Sequence, residues 1–204
     1  MLFSDNSIAK YIDQNFEPVW ESVRPVPMIT IDFGNGHKVK RTLHGNIASY
    51  VCTADGQIVD VLPGLYKPDV YRDALSKLVP VARSAQSASV RTGSKTKYLA
   101  DYHIKALLSL SGSEVPKGNN IGVVSHRQSH TPSDVVAWPE LTEETAINET
   151  QRRKLIHERL AGTSSATTPA QMKSWLYRKV LHCDLEDPYL GLKAALFENY
   201  PFVD

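Results

Sequence analysis

The fold of this chain is decided by the stretch Ala48-Ser49-Tyr50-Val51-Cys52-Thr53-Ala54-Asp55-Gly56-Gln57-Ile58-Val59-Asp60-Val61-Leu62. Two apolar runs, 48–53 and 57–62, flank the turn that contains Asp55-Gly56. Asp-Gly between two apolar runs is a strong signal for a β-hairpin, because both residues tolerate the positive φ that tight hairpin turns require. The sequence therefore predicts two antiparallel strands over 48–62.

Three further strands are predicted upstream of this hairpin. Apolar residues recur there with period two, which is the pattern of half-buried strands, over 19–23, 28–33 and 38–43. The turn Gly34-Asn35-Gly36 lies between the second and third of them. Its residues tolerate positive φ, so we expect these two strands to pair as a second hairpin.

Helices are predicted on both sides of the strands. A short first helix is capped at residue 4 or 5. After the strands, Pro68 suits the first position of a helix, because proline lacks the amide hydrogen that would be unsatisfied there, and Pro80 is expected to close it. Residues 83–97 are rich in Ser and Thr, which is typical of a polar connection, and a helix is expected over 96–110.

The last third of the chain is predicted to be helical. Thr142 is expected to cap a helix that Gly162 ends, and Thr168-Pro169-Ala170-Gln171 carries the cap, proline and glutamine of a capping box. Asp187-Pro188 is expected to begin another helix. The predicted divisions of the chain are a first domain over 1–82, a linker with one helix and a long loop over 83–139, and a helical region over 140–204.

Composition excludes several classes of function. The 204 residues include 23 basic and 22 acidic side chains, so the charge of +1 supplies no broad positive field for nucleic acid. No apolar run is long enough for a membrane span, and the first residues lack the features of a signal peptide, so a cytoplasmic location is expected. Two cysteines, Cys52 and Cys183, exclude a disulfide scaffold.

The first part of the chain resembles the thioredoxin-like superfamily over about residues 2–80. The segment 2–19 resembles the stretch from helix to strand that follows the active site in that family. Residues 48–62 look like its terminal antiparallel hairpin, and 63–66 with the helix from Pro68 look like its closing glycine turn and last helix. The resemblance implies an α/β fold: a truncated thioredoxin-like mixed sheet with flanking helices, followed by an α-helical C-terminal region.

The chain departs from the family at its redox centre. The first strand and the Cys-x-x-Cys motif are expected upstream of Phe3, and the sequence has no such motif. The position of the family's cis-proline falls near Ala48, and no proline occurs between Pro27 and Pro63. Disulfide exchange needs a low-pKa thiolate and a nearby resolving thiol, so the catalytic chemistry of the family is not expected here.

A resemblance to the family without its redox centre implies a non-catalytic binding or assembly module, such as an accessory subunit of a larger protein complex. The alternative is a thiol-disulfide oxidoreductase whose Cys-x-x-Cys segment lies upstream of Met1 and is missing from this chain. No catalytic constellation and no cofactor are expected. Cys52 is interpreted as a small core residue. Cys183 has His182 and Asp184 beside it, but sequence neighbours on a helix point in different directions, so a catalytic triad is not expected.

Two sets of side chains are candidates for binding. His126 and His130 are spaced i, i+4 and would lie on one face of a helix, but they are weak metal candidates because no acidic partner is close in sequence. Trp138, Tyr200 and Phe202 are the candidates for contact with a protein partner, because they fall outside the predicted core stripes.

Overall fold

A computed structural model of the chain describes residues 3, 5–25, 28–42, 47–91, 95–110, 126–127 and 138–189, and its fold is mixed α/β. The helices are α1 (Asn6–Asn15), α2 (Pro68–Arg91), α3 (Lys95–Leu110), α4 (Trp138–Ile147), α5 (Arg153–Ala161) and α6 (Pro169–Trp175). The strands are β1 (Met28–Asp32), β2 (Lys38–Thr42), β3 (Ala48–Cys52), β4 (Ile58–Pro63) and β5 (His126–Arg127).

The described strands form two separate sheets rather than one mixed sheet. One sheet has the order β1-β2-β5, the other pairs β3 with β4, and all these pairings are antiparallel. The strand predicted over 19–23 is wrong, because this segment has no regular secondary structure. Val19 and Trp20 are both exposed there, so the alternating pattern has no core to face. The described residues therefore do not show a thioredoxin fold.

Both predicted hairpins are confirmed. Asp32 pairs with Lys38 across the first turn, where Gly34 and Gly36 have φ of 74° and 87°. In the second hairpin, the Thr53 N–H donates to the Gln57 carbonyl at 2.9 Å, and Gly56 has a φ of 82°. Such positive φ values favour glycine, and for this reason the glycine-containing turns in the sequence predicted the positions of both hairpins correctly.

Helix α2 is longer than predicted. Pro80 does not end it, and the Ser-rich stretch 83–91 is helical rather than a connection. An interior proline costs about 3 kcal/mol or more. Leu78 and Ala85 are buried on either side of it, and burying a leucine side chain contributes roughly 1.5–3 kcal/mol, which helps to offset the proline. The division into three segments at 82 and 139 stays a prediction.

Strand β4 lies between two apolar clusters. It contributes Val59 and Leu62 to the cluster that includes residues of α1, α2 and α3. It contributes Ile58 and Val61 to the cluster that includes residues of α5 and α6. Every residue of β4 is buried as a result, and the polar side chain of Asp60 is buried with them.

The C-terminal helices confirm the predicted punctuation in part. The cap predicted at Thr142 is wrong, because α4 begins at Trp138 and Thr142 lies inside it. Thr168 and Gln171 form a capping box with Pro169 in the first turn of α6, and Gly162 ends α5. Met172, Leu176, Val180 and Cys183 are buried on this part of the chain, and Trp175 is half-buried. The helix expected to begin at 187–188 falls largely outside the described residues. Within them, no helix is long and apolar enough to cross a membrane.

Helices α4 and α5 follow each other without a break and form one helical rod. A wide, π-helical turn over Asn148–Arg152 joins them. The Arg153 N–H donates to the Asn148 carbonyl, five residues back instead of four. Before this turn, the Thr145 hydroxyl accepts from the Lys67 N–H at 2.9 Å. At the first residue of the turn, the Asn148 side-chain amide donates to the Leu65 carbonyl at 2.6 Å. These bonds fix the N-terminal part of the rod to the segment that follows β4.

Candidate functional site

A fully buried carboxylate lies at the centre of the fold. Asp60 of β4 would be costly to bury if it were unpaired. Arg153 of α5 donates from Nη2 to Oδ2 at 2.6 Å, and the Tyr102 hydroxyl of α3 donates to the same oxygen at 2.8 Å. The Val61 N–H donates to Oδ1 at 2.8 Å. Both carboxylate oxygens are therefore hydrogen-bonded, and helices α3 and α5 are tied to the sheet.

Arg153 is shared between two carboxylates. Its Nη1 lies 3.1 Å from Oε2 of Glu149, one helical turn earlier, while its Nη2 serves Asp60. The Arg153 Nε and the Tyr66 hydroxyl are buried without a hydrogen-bond partner among the described residues. The polar network around Asp60 thus contains two acidic groups, one guanidinium and unused donors.

Two buried histidines complete this cluster. His103 of α3 and His157 of α5 bring their Nδ1 atoms to 2.9 Å from each other. The ring of Tyr102 lies edge-on to both imidazoles, with centroids 4.9 Å and 6.0 Å away. One ligating atom from each of Asp60, His103 and His157 lies within 4.8 Å of the other two. We call Asp60, His103 and His157 the buried triad.

The electrostatics of the buried triad follow from its burial and from Arg153. Burial raises the pKa of Asp60, but the charge of Arg153, the charges of His157 and His103 when they are protonated, and the bond from Tyr102 together outweigh it and hold that pKa at about 2. Burial lowers the pKa of His103 to about 4 and also lowers the pKa of His157, with Asp60 opposing both shifts. Near neutral pH the triad therefore consists of one carboxylate and two neutral imidazoles.

The Cys52 thiol is not activated. Burial raises the pKa of the Cys52 thiol to about 11, which makes it a poor nucleophile at neutral pH. Cys183 is buried as well. Among the described residues, the buried triad is the only group of three or more His, Cys, Asp or Glu with metal-ligand spacing, so Cys183 does not form one with His182 and Asp184.

The residues singled out from the sequence are not part of the buried triad. His126 lies in β5, paired with Thr42, and not in the helix that the i, i+4 spacing would need. His130 is outside the described residues, as are Tyr200 and Phe202. Trp138 is the first residue of α4. The binding roles given to these side chains stay predictions.

The segment before β1 exposes large apolar side chains. Val19 and Trp20 are 91% and 86% exposed. The hairpin that follows adds Met28, Ile31 and Phe33, all exposed. We call these five side chains the N-terminal apolar set. Single exposed apolar residues are normal, but an exposed tryptophan with four apolar companions nearby in sequence is not.

Sequence reasoning missed the buried triad because its members come from distant parts of the chain. His103 and His157 are 54 positions apart, and Asp60 and Arg153 are 93 apart. The available signal was local: Asp60 interrupts the apolar run Ile58-Val59-Asp60-Val61-Leu62, and His103 falls on the apolar stripe of α3. A charged residue inside such a run indicates a buried partner, but the sequence does not say which one.

In comparisons with known proteins, the chain matches no family model, and no curated protein or solved structure is significantly similar to it. Function has to follow from the geometry of the chain itself.

Proposed function

We propose that this chain is a binding or assembly module for a protein partner, an accessory subunit without catalytic chemistry, and that Trp20 is the centre of its contact surface. The observation that supports this proposal most directly is that the Trp20 side chain is 86% exposed. The residues that follow Trp20 in the chain are bound to the rest of the protein. Tryptophan is the side chain most enriched among residues that dominate the energy of protein interfaces.

The backbone around Trp20 is held in place by contacts with the C-terminal helices. Glu21 forms an ion pair with Lys173 of α6 at 2.7 Å, and the Arg24 guanidinium donates to the Asp187 carbonyl at 3.2 Å. The exposed ion pair contributes little to stability, at most about 1 kcal/mol. The effect of these contacts on binding is larger, because a segment that is already ordered loses less conformational entropy when a partner binds.

The hairpin of β1 and β2 supports the same proposal. An isolated two-stranded hairpin is only marginally stable in water. Among the described strands β1 is an edge strand, so its outer backbone groups are available to a partner strand, and Met28, Ile31 and Phe33 add apolar contact area. The expected partner therefore presents an apolar surface, with an extended segment that can pair along β1.

Within the mixed α/β class, we propose that the first part of the chain is a truncated thioredoxin-like scaffold. Its support is the order of elements after residue 47: the β3-β4 hairpin, a turn at Gly64 with a φ of 76°, and helix α2. The alternative of an oxidoreductase completed by a segment upstream of Met1 gains no support from the described residues.

The test compares two exposed apolar side chains on different elements. Leu108 of α3, 71% exposed, is the matched control for Trp20. The full chain carrying Trp20→Ser or Leu108→Ser is expressed at its native level in its own cells and isolated after crosslinking. One reproducible partner is expected with wild type and with Leu108→Ser, and its purified complex is expected to dissociate about 30-fold more readily with Trp20→Ser.

Both variants are expected to have the wild-type circular dichroism spectrum, because neither side chain is buried. Equal partner recovery with Trp20→Ser and Leu108→Ser, or a monomeric wild-type protein in its own cells, contradicts the proposed function.

A further inference from the structure

We infer that the buried triad of Asp60, His103 and His157 is a binding site for one divalent transition-metal ion, with Zn²⁺ as the expected type. The inference goes beyond the proposed partner binding and rests on different residues. Three ligating atoms lie within 4.8 Å of one another, and each comes from a different element: β4, α3 or α5.

The types of ligand favour zinc-like ions. Two imidazoles and one carboxylate suit Zn²⁺ and its first-row neighbours, whereas Mg²⁺ and Ca²⁺ prefer oxygen ligands alone. Two nitrogens bound at ~2.0–2.1 Å in tetrahedral geometry lie roughly 3.3 Å apart. The Nδ1 atoms of His103 and His157 lie 2.9 Å apart, so a separation of a few tenths of an ångström brings them to ligand distance.

The charges around the triad leave room for a cation. Arg153 faces Asp60 and would by itself repel a metal ion, but it is also paired with Glu149. Two carboxylates against one guanidinium leave one net negative charge, shared between the fully buried Asp60 and Glu149, whose side chain is 32% exposed. A divalent ion neutralises that negative charge and leaves one positive charge in excess. The excess of positive charge would be larger beside an arginine that was not also paired with Glu149.

The outer contacts orient the carboxylate ligand. Tyr102 and Arg153 both donate to Oδ2 of Asp60, and the backbone of Val61 donates to Oδ1. Partners of this kind fix the position of a ligating group, and their loss commonly weakens metal binding by about 10- to 100-fold. The triad therefore has the outer contacts that metal sites use as well as the ligands.

The competing explanation is a hydrogen-bonded network with no ion. At 2.9 Å one neutral imidazole can donate to the other, and Asp60 is already paired with Arg153. The two explanations differ in one measurable respect: the network binds no metal.

The experiment uses the full-length chain. It is stripped with a chelator, dialysed and titrated with Zn²⁺ by calorimetry and with Co²⁺ by visible absorption. One equivalent of each ion is expected, with the intense visible bands of tetrahedral Co²⁺ and a rise in Tm that grows with Zn²⁺ concentration. His157→Gln is expected to weaken binding by more than the roughly 100-fold that loss of an outer partner causes.

Matched controls separate this site from other histidines. His37→Gln replaces an exposed histidine in the first hairpin and is expected to leave Zn²⁺ affinity unchanged. The double variant His126→Gln, His130→Gln is also expected to leave the Zn²⁺ affinity unchanged. If this variant lost Zn²⁺ binding, the ion would be bound by His126 and His130, and the inference would be overturned. Trp20→Ser is expected to bind Zn²⁺ like wild type, which keeps this test distinct from that of partner binding.

A measurement on the wild-type chain covers the case in which His157→Gln does not fold. With imidazoles labelled with ¹⁵N and ¹¹³Cd²⁺ as the ion, two ring nitrogens, Nδ1 of His103 and Nδ1 of His157, are expected to show metal coupling. Coupling to other nitrogens, or no binding of Zn²⁺, Co²⁺ or Cd²⁺ to the folded wild-type protein, overturns the inference.

Discussion

The two hairpins of this protein have the same local design and opposite surroundings. Each joins antiparallel strands through a turn that contains glycine at positive φ, and each contains an aspartate in an ion pair. In the first hairpin the pair is Asp32 with Lys38 at 2.9 Å, and both side chains are exposed. In the second it is Asp60 with Arg153 at 2.6 Å, where Asp60 is fully buried and the Arg153 side chain is 14% exposed.

This difference shows that the interactions that form a hairpin are not the ones that stabilise the fold. Turn chemistry, which is local, sets the position of the turn and the pairing of the strands in both cases. Packing decides the rest: β4 lies between two apolar clusters, whereas β1 and β2 display most of their side chains to solvent. The first hairpin is therefore suited to display a surface, and the second to hold the protein together.

The largest difference between the hairpins is expected when each ion pair is broken. Arg153→Leu leaves the buried Asp60 without its cation and is expected to lower the free energy of unfolding by about 3–5 kcal/mol. Lys38→Ala breaks the exposed pair and is expected to cost about 0–1 kcal/mol. Urea denaturation of both variants measures this, and similar losses would mean that Asp60 is solvated in the native state.

A slightly smaller difference is expected for apolar truncation. Leu62→Ala in β4 removes a fully buried side chain and is expected to cost about 2–5 kcal/mol. Ile31→Ala in β1 is expected to stay within about 0.5 kcal/mol, because that side chain is exposed. The midpoints of guanidinium unfolding check both values. A large loss from Ile31→Ala would show that the first hairpin is packed against the body.

Acid is expected to act first on His103 of α3, which lies beside Asp60 of the second hairpin. The pKa of His103 is lowered from 6.5 to about 4 in the folded state, so between these pH values the unfolded chain binds more protons and stability falls as pH falls. Stability from Asp60 is present above its ordinary pKa of 3.8 and is lost as pH falls toward about 2.

In metal-free buffer, the free energy of unfolding is therefore expected to decline from pH 6.5 to 4, by roughly 1–3 kcal/mol for His103. His103→Gln is expected to flatten this decline. His37→Gln, in the exposed turn of the first hairpin, is the control and is expected to keep the wild-type slope. An unchanged slope in His103→Gln would show that this histidine is not buried in its neutral form.

The smallest expected effects are those of the turn glycines. Gly56→Ala and Gly34→Ala both place a Cβ in open space but at positive φ, which costs about 1–2 kcal/mol. The loss is expected in global unfolding for Gly56→Ala. For Gly34→Ala we expect it only as faster amide exchange within 28–42, because an exposed hairpin can open without the core. A global loss from Gly34→Ala would couple the two hairpins.

The sequence predicted those features that depend on near neighbours. The turns at 34–36 and 55–56, the capping box at Thr168 and the end of α5 at Gly162 are all confirmed. It failed where a distant contact overrides a local preference. Pro80 and the serines of 83–91 favour a break, but buried neighbours keep α2 continuous.

The buried triad shows the same limit more clearly. His103 and Asp60 could be recognised as polar residues in apolar patterns, but their pairing with His157 and Arg153 depends on how α3 and α5 pack against β4. Nothing in the local sequence encodes that packing. Trp20 shows the converse: its alternating pattern predicted a half-buried strand, and the side chain is exposed because no partner strand is present among the described residues.

The π-helical turn over Asn148–Arg152 sets the rotational phase between the two halves of the α4–α5 rod. The half before it is held by Thr145 and Asn148, and the half after it presents Arg153 and His157 to the sheet and to α3. One residue of an α-helix turns through roughly 100°. If the extra residue of this turn were deleted, the first half could keep its bonds only while Arg153 and His157 rotated away from Asp60 and His103. The number of residues in this segment is therefore fixed, because the loss of a single residue would break this arrangement whatever the side chains are.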